Sequence, residues 1–181
     1  MPLHIFEERY QRMVLDVMEG DRRFGMVYHD WDVHGPFLGE KGTIGCVATI
    51  DRHQPLEDGR SLLAVHGDPR FHIVEEMGQT DLYFEAIVEP LEDTTVMDGD
   101  ELVFRRRESI RLFKELVERM APRPIKLPEL SEQTEISYIL AQTIQMKPSW
   151  HQRLLEITDE GSRLERVDQV LRRALDRSGS G

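Results

Sequence analysis

The chain has 181 residues, 39% hydrophobic and 31% charged, with a mean hydropathy of −0.47; this is enough for one large or two small domains with a real core and a well-solvated surface. Acidic residues outnumber basic ones 34 to 23, a net charge of −11, which sets the chain against phosphate backbones and anionic membranes as partners. No apolar run approaches the ~20 residues of a membrane span, the N-terminus lacks the basic and apolar regions of a signal peptide, and the single cysteine, Cys46, excludes an internal disulfide and points to the cytoplasm.

Phe6, Tyr10, Met13, Val14 and Val17 recur at helical spacing and predict a leading helix that Gly20 ends. A short strand over Phe24 to Tyr28 follows, then a polar loop with Asp30, Asp32, Gly35, Pro36 and Gly39. Thr43 to Ile50 is apolar and rich in β-branched residues, as a buried strand requires. Asp58-Gly59 marks a hairpin, because this pair tolerates the positive φ of a tight turn. Leu62 to His66 and Phe71 to Glu75 read as two strands with a bend at Gly67-Asp68-Pro69, and a turn at Gly78-Gln79 leads to a strand over Leu82 to Pro90. Short strands with turns at this spacing predict a small barrel or a bent antiparallel sheet.

From about Gly99 the period becomes helical, with Ile110, Phe113, Leu116, Val117 and Met120 on one face. Pro122, Pro124 and Pro128 predict an extended linker. Ser131 is the expected N-cap of a helix that buries Ile136, Ile139, Leu140 and Ile144. Pro148 opens a short helix through Leu154 and Leu155, and Asp159 or Ser162 starts the last one, with Leu164, Val167, Leu171, Ala174 and Leu175 inward. The expected organisation is α+β: a β-rich unit over 1–95, a helical bundle over 96–177 and a flexible tail over 178–181.

Chemistry-bearing motifs are scarce. The chain has no phosphate-binding loop, no G-x-G-x-x-G after a strand and no G-x-S-x-G elbow. Cys46 sits in an apolar strand pattern, where a buried, inert thiol is expected. His29-Asp30-Trp31-Asp32-Val33-His34 mixes imidazoles and carboxylates, but its spacing matches no metal motif, so neither a metal nor another cofactor is expected. His66 and His72 read as ordinary strand residues. The acidic clusters (Glu7-Glu8, Glu75-Glu76, Glu89 with Glu92-Asp93, Asp98 to Glu101) read as a solvated surface. Arg105-Arg106-Arg107 is the densest basic run, and Glu101 and Glu108 are the partners expected for it on a helix surface. Trp31, Phe37 and Leu38 differ from these: they are large apolar residues in a Gly- and Pro-rich loop, suited either to docking a polypeptide or to folding back as a cap on the sheet.

Four stretches in order resemble the N-domain of Lon proteases, a PUA-like fold. Pro2-Leu3-His4-Ile5-Phe6-Glu7-Glu8-Arg9-Tyr10 is similar to that family's P-L-H-I-F-E-x-R-Y segment, and Gly20-Asp21-Arg22-Arg23-Phe24-Gly25 to the turn after its first helix. Gly42-Thr43-Ile44-Gly45-Cys46-Val47-Ala48-Thr49-Ile50 resembles its G-T-x-A-x-I strand, with one difference in the middle. Asp58-Gly59-Arg60 followed by Val65-His66-Gly67-Asp68-Pro69-Arg70-Phe71 is similar to the hairpin before its G-x-x-R-F strand. The resemblance implies a PUA-like small β-barrel or bent sheet followed by a helical bundle. In the full enzyme the domain captures unfolded substrates for an AAA+ motor and a Ser-Lys protease, neither of which is expected here.

The family also carries a strand ahead of the P-L-H-I-F motif, whereas this chain opens at Met1. The expectation is a late start or a sheet that has lost an edge strand; a lost strand would invite a homodimer. The function expected is therefore non-catalytic recognition of unfolded or exposed-apolar polypeptide, as a quality-control adaptor or regulator with a protease or other protein partner. Trp31, Phe37 and Leu38 are the candidate binding residues. The alternatives are an RNA-binding PUA-like protein, which needs a local basic surface, and a hydrolase, which needs titratable groups converging around His66, His72 and Glu85.

Overall fold

The computed structural model describes residues 1–35, 37, 39–78, 83–120 and 128–178. The chain divides into two compact units, Met1–Glu92 and Asp93–Gly181.

In the first unit, strand β1 (Pro2–Ile5) leads into helix α1 (Glu8–Glu19), strand β2 (Arg23–Val27) and a single helical turn, α2 (Trp31–His34). Strands β3 (Ile44–Pro55), β4 (Ser61–Gly78) and β5 (Glu85–Pro90) complete it. All pairings are antiparallel in the order β1-β4-β3-β2, and β5 also pairs with β4. β1 lies along Ser61–Ala64 of β4, and β5 along Phe71–Gly78. Among the described residues β2 has no strand on its outer side. Of the two expected forms, barrel and bent antiparallel sheet, the open bent sheet is found.

The bend falls at Gly67-Asp68-Pro69, as expected, but inside one strand of 18 residues and not between two. Cys46 pairs with Arg70 whereas Ala48 pairs with Gly67, so β4 carries an extra residue there, a β-bulge. Pro69 fits at a bulge because it has no N–H to lose from the ladder. Asp68 fixes it: its carbonyl accepts from Cys46 Sγ at 3.1 Å, and its carboxylate accepts from the Thr49 hydroxyl. The Asp-Gly hairpin forms as expected, with Gly59 at φ 84° and Leu56 N–H donating to Arg60 O at 2.8 Å.

Helix α1 buries Val14 against Ile5, Ala48, Ile50, Leu63 and Val65, with Met13 and Val17 packed beside it. Phe6 was expected on this face but lies ahead of the helix and is exposed. The preceding residues are drawn into β1, and the helix starts only after its N-cap, Glu7. Gly20 does close α1, yet the left-handed residue is Arg22 (φ 61°), whose N–H reaches Val17 O at 2.9 Å.

The second unit contains α3 (Gly99–Met120), α4 (Ser137–Gln142), α5 (Pro148–Leu155) and α6 (Glu160–Ser178). Leu112, Phe113, Ile136, Leu140, Leu154, Leu164, Val167 and Leu171 form one core. Leu112 is a core residue that the periodic pattern left out, while Met120, the last residue of α3, is exposed. Pro122 and Pro124 lie outside the described residues. Ser131 caps a turn, not a helix: its hydroxyl accepts from Gln133 N–H at 3.2 Å. Helix α4 starts later, with Ile136 as its N-cap, because Glu160 on α6 accepts the Ile136 N–H at 2.9 Å. At α6 the cap is Asp159, which accepts from Ser162 N–H at 2.7 Å. Ser178 belongs to α6, and 179–181 lie outside the described residues. No helix among the described residues is long and apolar enough to cross a membrane.

Charge is buried in this bundle. Arg163 is fully enclosed and donates to Asp93 (3.1 and 3.0 Å), Glu135 (2.8 Å), Ser137 Oγ (3.0 Å) and Ile157 O (2.8 Å), with its guanidinium 4.7 Å from the Tyr138 ring centroid. Arg106 pairs with Glu160, and both side chains are largely buried. Glu160→Ala leaves the Arg106 guanidinium and the Ile136 N–H without their partner; the expected cost is about 3–5 kcal/mol, read from urea unfolding, and a loss under about 1 kcal/mol refutes this role.

Asp168 on α6 is also buried, and neither carboxylate oxygen has a hydrogen-bond partner of good geometry, although the Ser109 hydroxyl lies alongside. Burial pushes its carboxyl above the ordinary range, against the opposing pull of Ser109, Arg105 and Arg172. A raised native value means that the folded state holds the proton more tightly. The contribution to stability is full below the ordinary carboxyl range and is lost as pH rises through the raised value. Asp168→Asn therefore gains stability over the parent as pH goes from 4 to 7, by about 1 kcal/mol at neutrality; an equal difference at both pH values contradicts the assignment.

Candidate functional site

Asp30 accepts the Asp32 N–H at 3.2 Å and so caps the turn α2. His29 Nε2 lies 2.6 Å from Gly35 O and closes the loop from the other end. Trp31 and Val33 on that turn are 57% and 71% exposed. The rings stack edge-on in sequence: Trp31 to His29 at 4.9 Å, His29 to Phe37 at 5.3 Å, and Phe37 to Phe84 at 4.9 Å. Phe84 in turn covers Gly39, where a Cβ would sit 1.8 Å from Phe84 Cζ. Trp31 thus stands out to solvent while Phe37, on the other side of the His29 contact, is half-buried. Leu38, the third expected residue, lies outside the described residues.

Val33, Gly39 and Phe84 are missed when the sequence is read alone. Val33 was grouped with the flanking His and Asp residues, and Phe84 was one apolar position of an alternating strand. Proximity of Phe84 to Phe37 depends on a contact across 47 positions of chain, which no local pattern records. Gly39→Ala is expected to push Phe84 off Phe37 and cost about 1–3 kcal/mol, with an altered near-UV aromatic signal; unchanged stability and spectrum count against the clasp.

The other candidate groups are engaged locally. Among the described residues no group of three or more His, Cys, Asp or Glu converges to hold a metal ion, and His29 and Asp30 serve the loop. Cys46 is half-buried, not fully buried as expected, and burial pushes its thiol up. His66 pairs with Asp51 at 2.8 Å, and His72 lies 3.6 Å from Glu89. The two imidazoles are engaged with different carboxylates, on opposite sides of the bulge in β4. In the basic run, Arg106 goes to Glu160 and Arg107 to Glu132, while Glu108 pairs with Arg111. For Arg106 and Arg107 the ion-pair partners are therefore on distant segments and are not the expected Glu101 and Glu108. An open cleft of about 600 Å³ in the helical unit is lined by Arg107, Ile110, Arg111, Lys114, Leu130 and Glu132. Arg107 and Arg111 there are held in ion pairs.

The charge is unevenly divided. Residues 1–92 hold 18 Asp and Glu against 8 Lys and Arg, a net of −10, whereas residues 93–181 hold 16 against 15, a net of −1. The apolar loop therefore lies in the strongly acidic unit.

Comparison with known proteins agrees with this architecture. Residues 1–173 match the family described as the ATP-dependent protease La (LON) substrate-binding domain. A Lon protease of Dictyoglomus thermophilum is 27% identical over 97% of this chain, and Lon protease 2 of Bdellovibrio bacteriovorus is 31% identical over 71% of it. The chain spans 22% and 17% of those two proteins' lengths. Among solved structures, a Lon N-terminal domain protein from Xanthomonas campestris superposes with a TM-score of 0.65 at 23% identity, covering 92% of this chain and 86% of that one. The N-terminal domain of a Mycobacterium avium complex Lon protease gives 0.67 at 12% identity, over 94% and 89%. At these identities the superpositions show a shared fold.

Proposed function

The chain belongs to the substrate-binding domain family of the ATP-dependent protease La (Lon), and on that premise we propose that it recognises exposed apolar segments of unfolded polypeptide and catalyses no reaction itself. The observation that carries this reading is the pair Trp31 and Val33, exposed on a turn held at both ends by the Asp30 cap and the His29–Gly35 contact. Large apolar side chains held out to water on a fixed support are suited to burying a partner's apolar groups on binding. The half-buried Phe37, linked to Trp31 through the His29 ring, is proposed to belong to the same patch. Its expected neighbour Leu38 is proposed to extend it.

A cytoplasmic quality-control role, as an adaptor or regulator that hands such segments to a protease, is part of this proposal and is in keeping with a family described as a protease's substrate-binding domain. RNA binding has no support from the charge distribution, since the sheet unit is the acidic one. Self-association through an unpaired sheet edge, expected from the sequence, is readable from sedimentation of the purified chain.

The test is fluorescence anisotropy with a labelled, permanently unfolded polypeptide. Saturable binding that tolerates salt is expected. The double variant Trp31→Ser/Val33→Ser is expected to weaken it about tenfold or more, in line with the removal of two buried apolar contacts. Unchanged affinity in that variant dismisses the patch as the binding surface.

A further inference from the structure

The turn that presents Trp31 and Val33 also carries a carboxylate between them. A helical turn advances about 100° per residue, so on α2 the side chain of Asp32 projects between those of Trp31 and Val33, and all three residues are exposed. The Asp32 backbone N–H donates to Asp30, but among the described residues its carboxylate makes no hydrogen bond and no ion pair. Asp30 next to it accepts from the Asp32 N–H and from the Tyr28 hydroxyl, both at 3.2 Å, and is paired with no cation. Elsewhere in the same unit Glu7, Asp16, Asp51, Asp58 and Asp68 each lie against an arginine or a histidine.

Water solvates the Asp32 carboxylate while the patch is bare. A peptide laid over Trp31 and Val33 takes part of that water away, and an unpaired charge shielded in this way opposes binding. A neutral apolar segment leaves the charge unpaired, and an acidic one adds repulsion. A segment that brings a cation to this point removes the penalty. Arginine suits it better than lysine: its methylene stem packs on apolar surface, its planar guanidinium stacks on an indole face, and its fork of donors matches a carboxylate. The long-range field favours the same partner, since residues 1–92 carry a net of −10.

We infer that the patch selects apolar segments of unfolded polypeptide that carry an arginine, or less well a lysine, among their bulky residues, with the cation on Asp32 and the apolar side chains on Trp31 and Val33. This narrows the substrate class of the polypeptide-recognition reading and rests on it: Trp31 and Val33 supply affinity for apolar chain, and Asp32 supplies selection by charge.

The test uses the full chain and four labelled peptides that share one apolar sequence and differ at a single central position: arginine, lysine, citrulline (a neutral isostere of arginine) or glutamate. At low salt the arginine peptide is expected to bind about tenfold more tightly than the glutamate peptide, with lysine and citrulline between and the spread narrowing as salt rises. Asp32→Asn is expected to bring the arginine peptide to within about twofold of the citrulline one; Asp32→Ser serves the same purpose if the asparagine variant fails to fold. Glu57→Gln, which neutralises an exposed carboxylate on the β3–β4 turn, is expected to leave the order and the spread as they are. Equal binding of the arginine and glutamate peptides, alongside normal binding of unfolded polypeptide, overturns the inference and leaves the recognition reading standing. A preference that survives in full without the Asp32 charge, or that falls as far in Glu57→Gln, overturns it too, because the selection then belongs to the general field. Failure of all four peptides and of the unfolded polypeptide to bind removes the recognition reading, and the inference with it.

Discussion

The bulge at Asp68-Pro69 governs the first unit, because β4 is the strand on which the other pairings of the sheet depend. It carries β1 at its start, β5 at its end and β3 along its other side. A flat strand of 18 residues would hold these partners in one plane; the extra residue opposite Cys46 to Ala48 turns the second half of β4 away from the first. Asp68 holds the turn through its carbonyl to Cys46 and its carboxylate to Thr49. Around the first half, the core closes under α1. The second half carries β5 past the end of the β3 ladder, where Ile87 is exposed.

The helical unit is organised differently. Its apolar core is ordinary, but the ends of α4 and α6 are joined by charged side chains with little access to water. Glu160 closes an ion pair with Arg106 and at the same time takes the first free N–H of α4. Arg163 gathers Asp93, the Glu135 to Ser137 stretch and the Ile157 carbonyl from three separate segments. Pairs buried on both sides, as Arg106–Glu160 is, add little net stability over an apolar replacement, yet breaking one side is costly. They therefore fix where the short helix α4 begins more than how firmly the bundle holds. Asp168 is the opposite case, a buried carboxyl that lacks good partners and favours its neutral form.

The charge split adds a functional division to the structural one. Nearly all of the chain's excess negative charge lies in residues 1–92, together with the exposed Trp31, Val33, Ile87 and Val88. Such an excess of negative charge disfavours phosphate backbones and other anionic partners at this unit.

Periodicity and turn chemistry determined the order of elements: the Val14 face of α1, the Asp58-Gly59 hairpin, the helices after Gly99 and the Pro148 start are local signals, set by spacings of two to four residues. The family motifs determined the fold, since they preserve the turns and strand starts that such a sheet demands. Trp31 and Phe37 were also legible, as bulky apolar residues among Gly and Pro. Only the tertiary structure decided the rest. One continuous β4 replaced two strands because a bulge keeps the ladder bonded through a bend that reads locally as a break. The start of α4 moved from Ser131 to Ile136–Ser137 because its cap is a glutamate from another helix. Phe6 and Met120 were left outside while Leu112 went in, because burial depends on what packs opposite and not on spacing alone. The placement of Phe84 on Phe37, and of Glu75 beside Ile87, came from pairings between distant segments, whose free energy no short stretch of chain encodes.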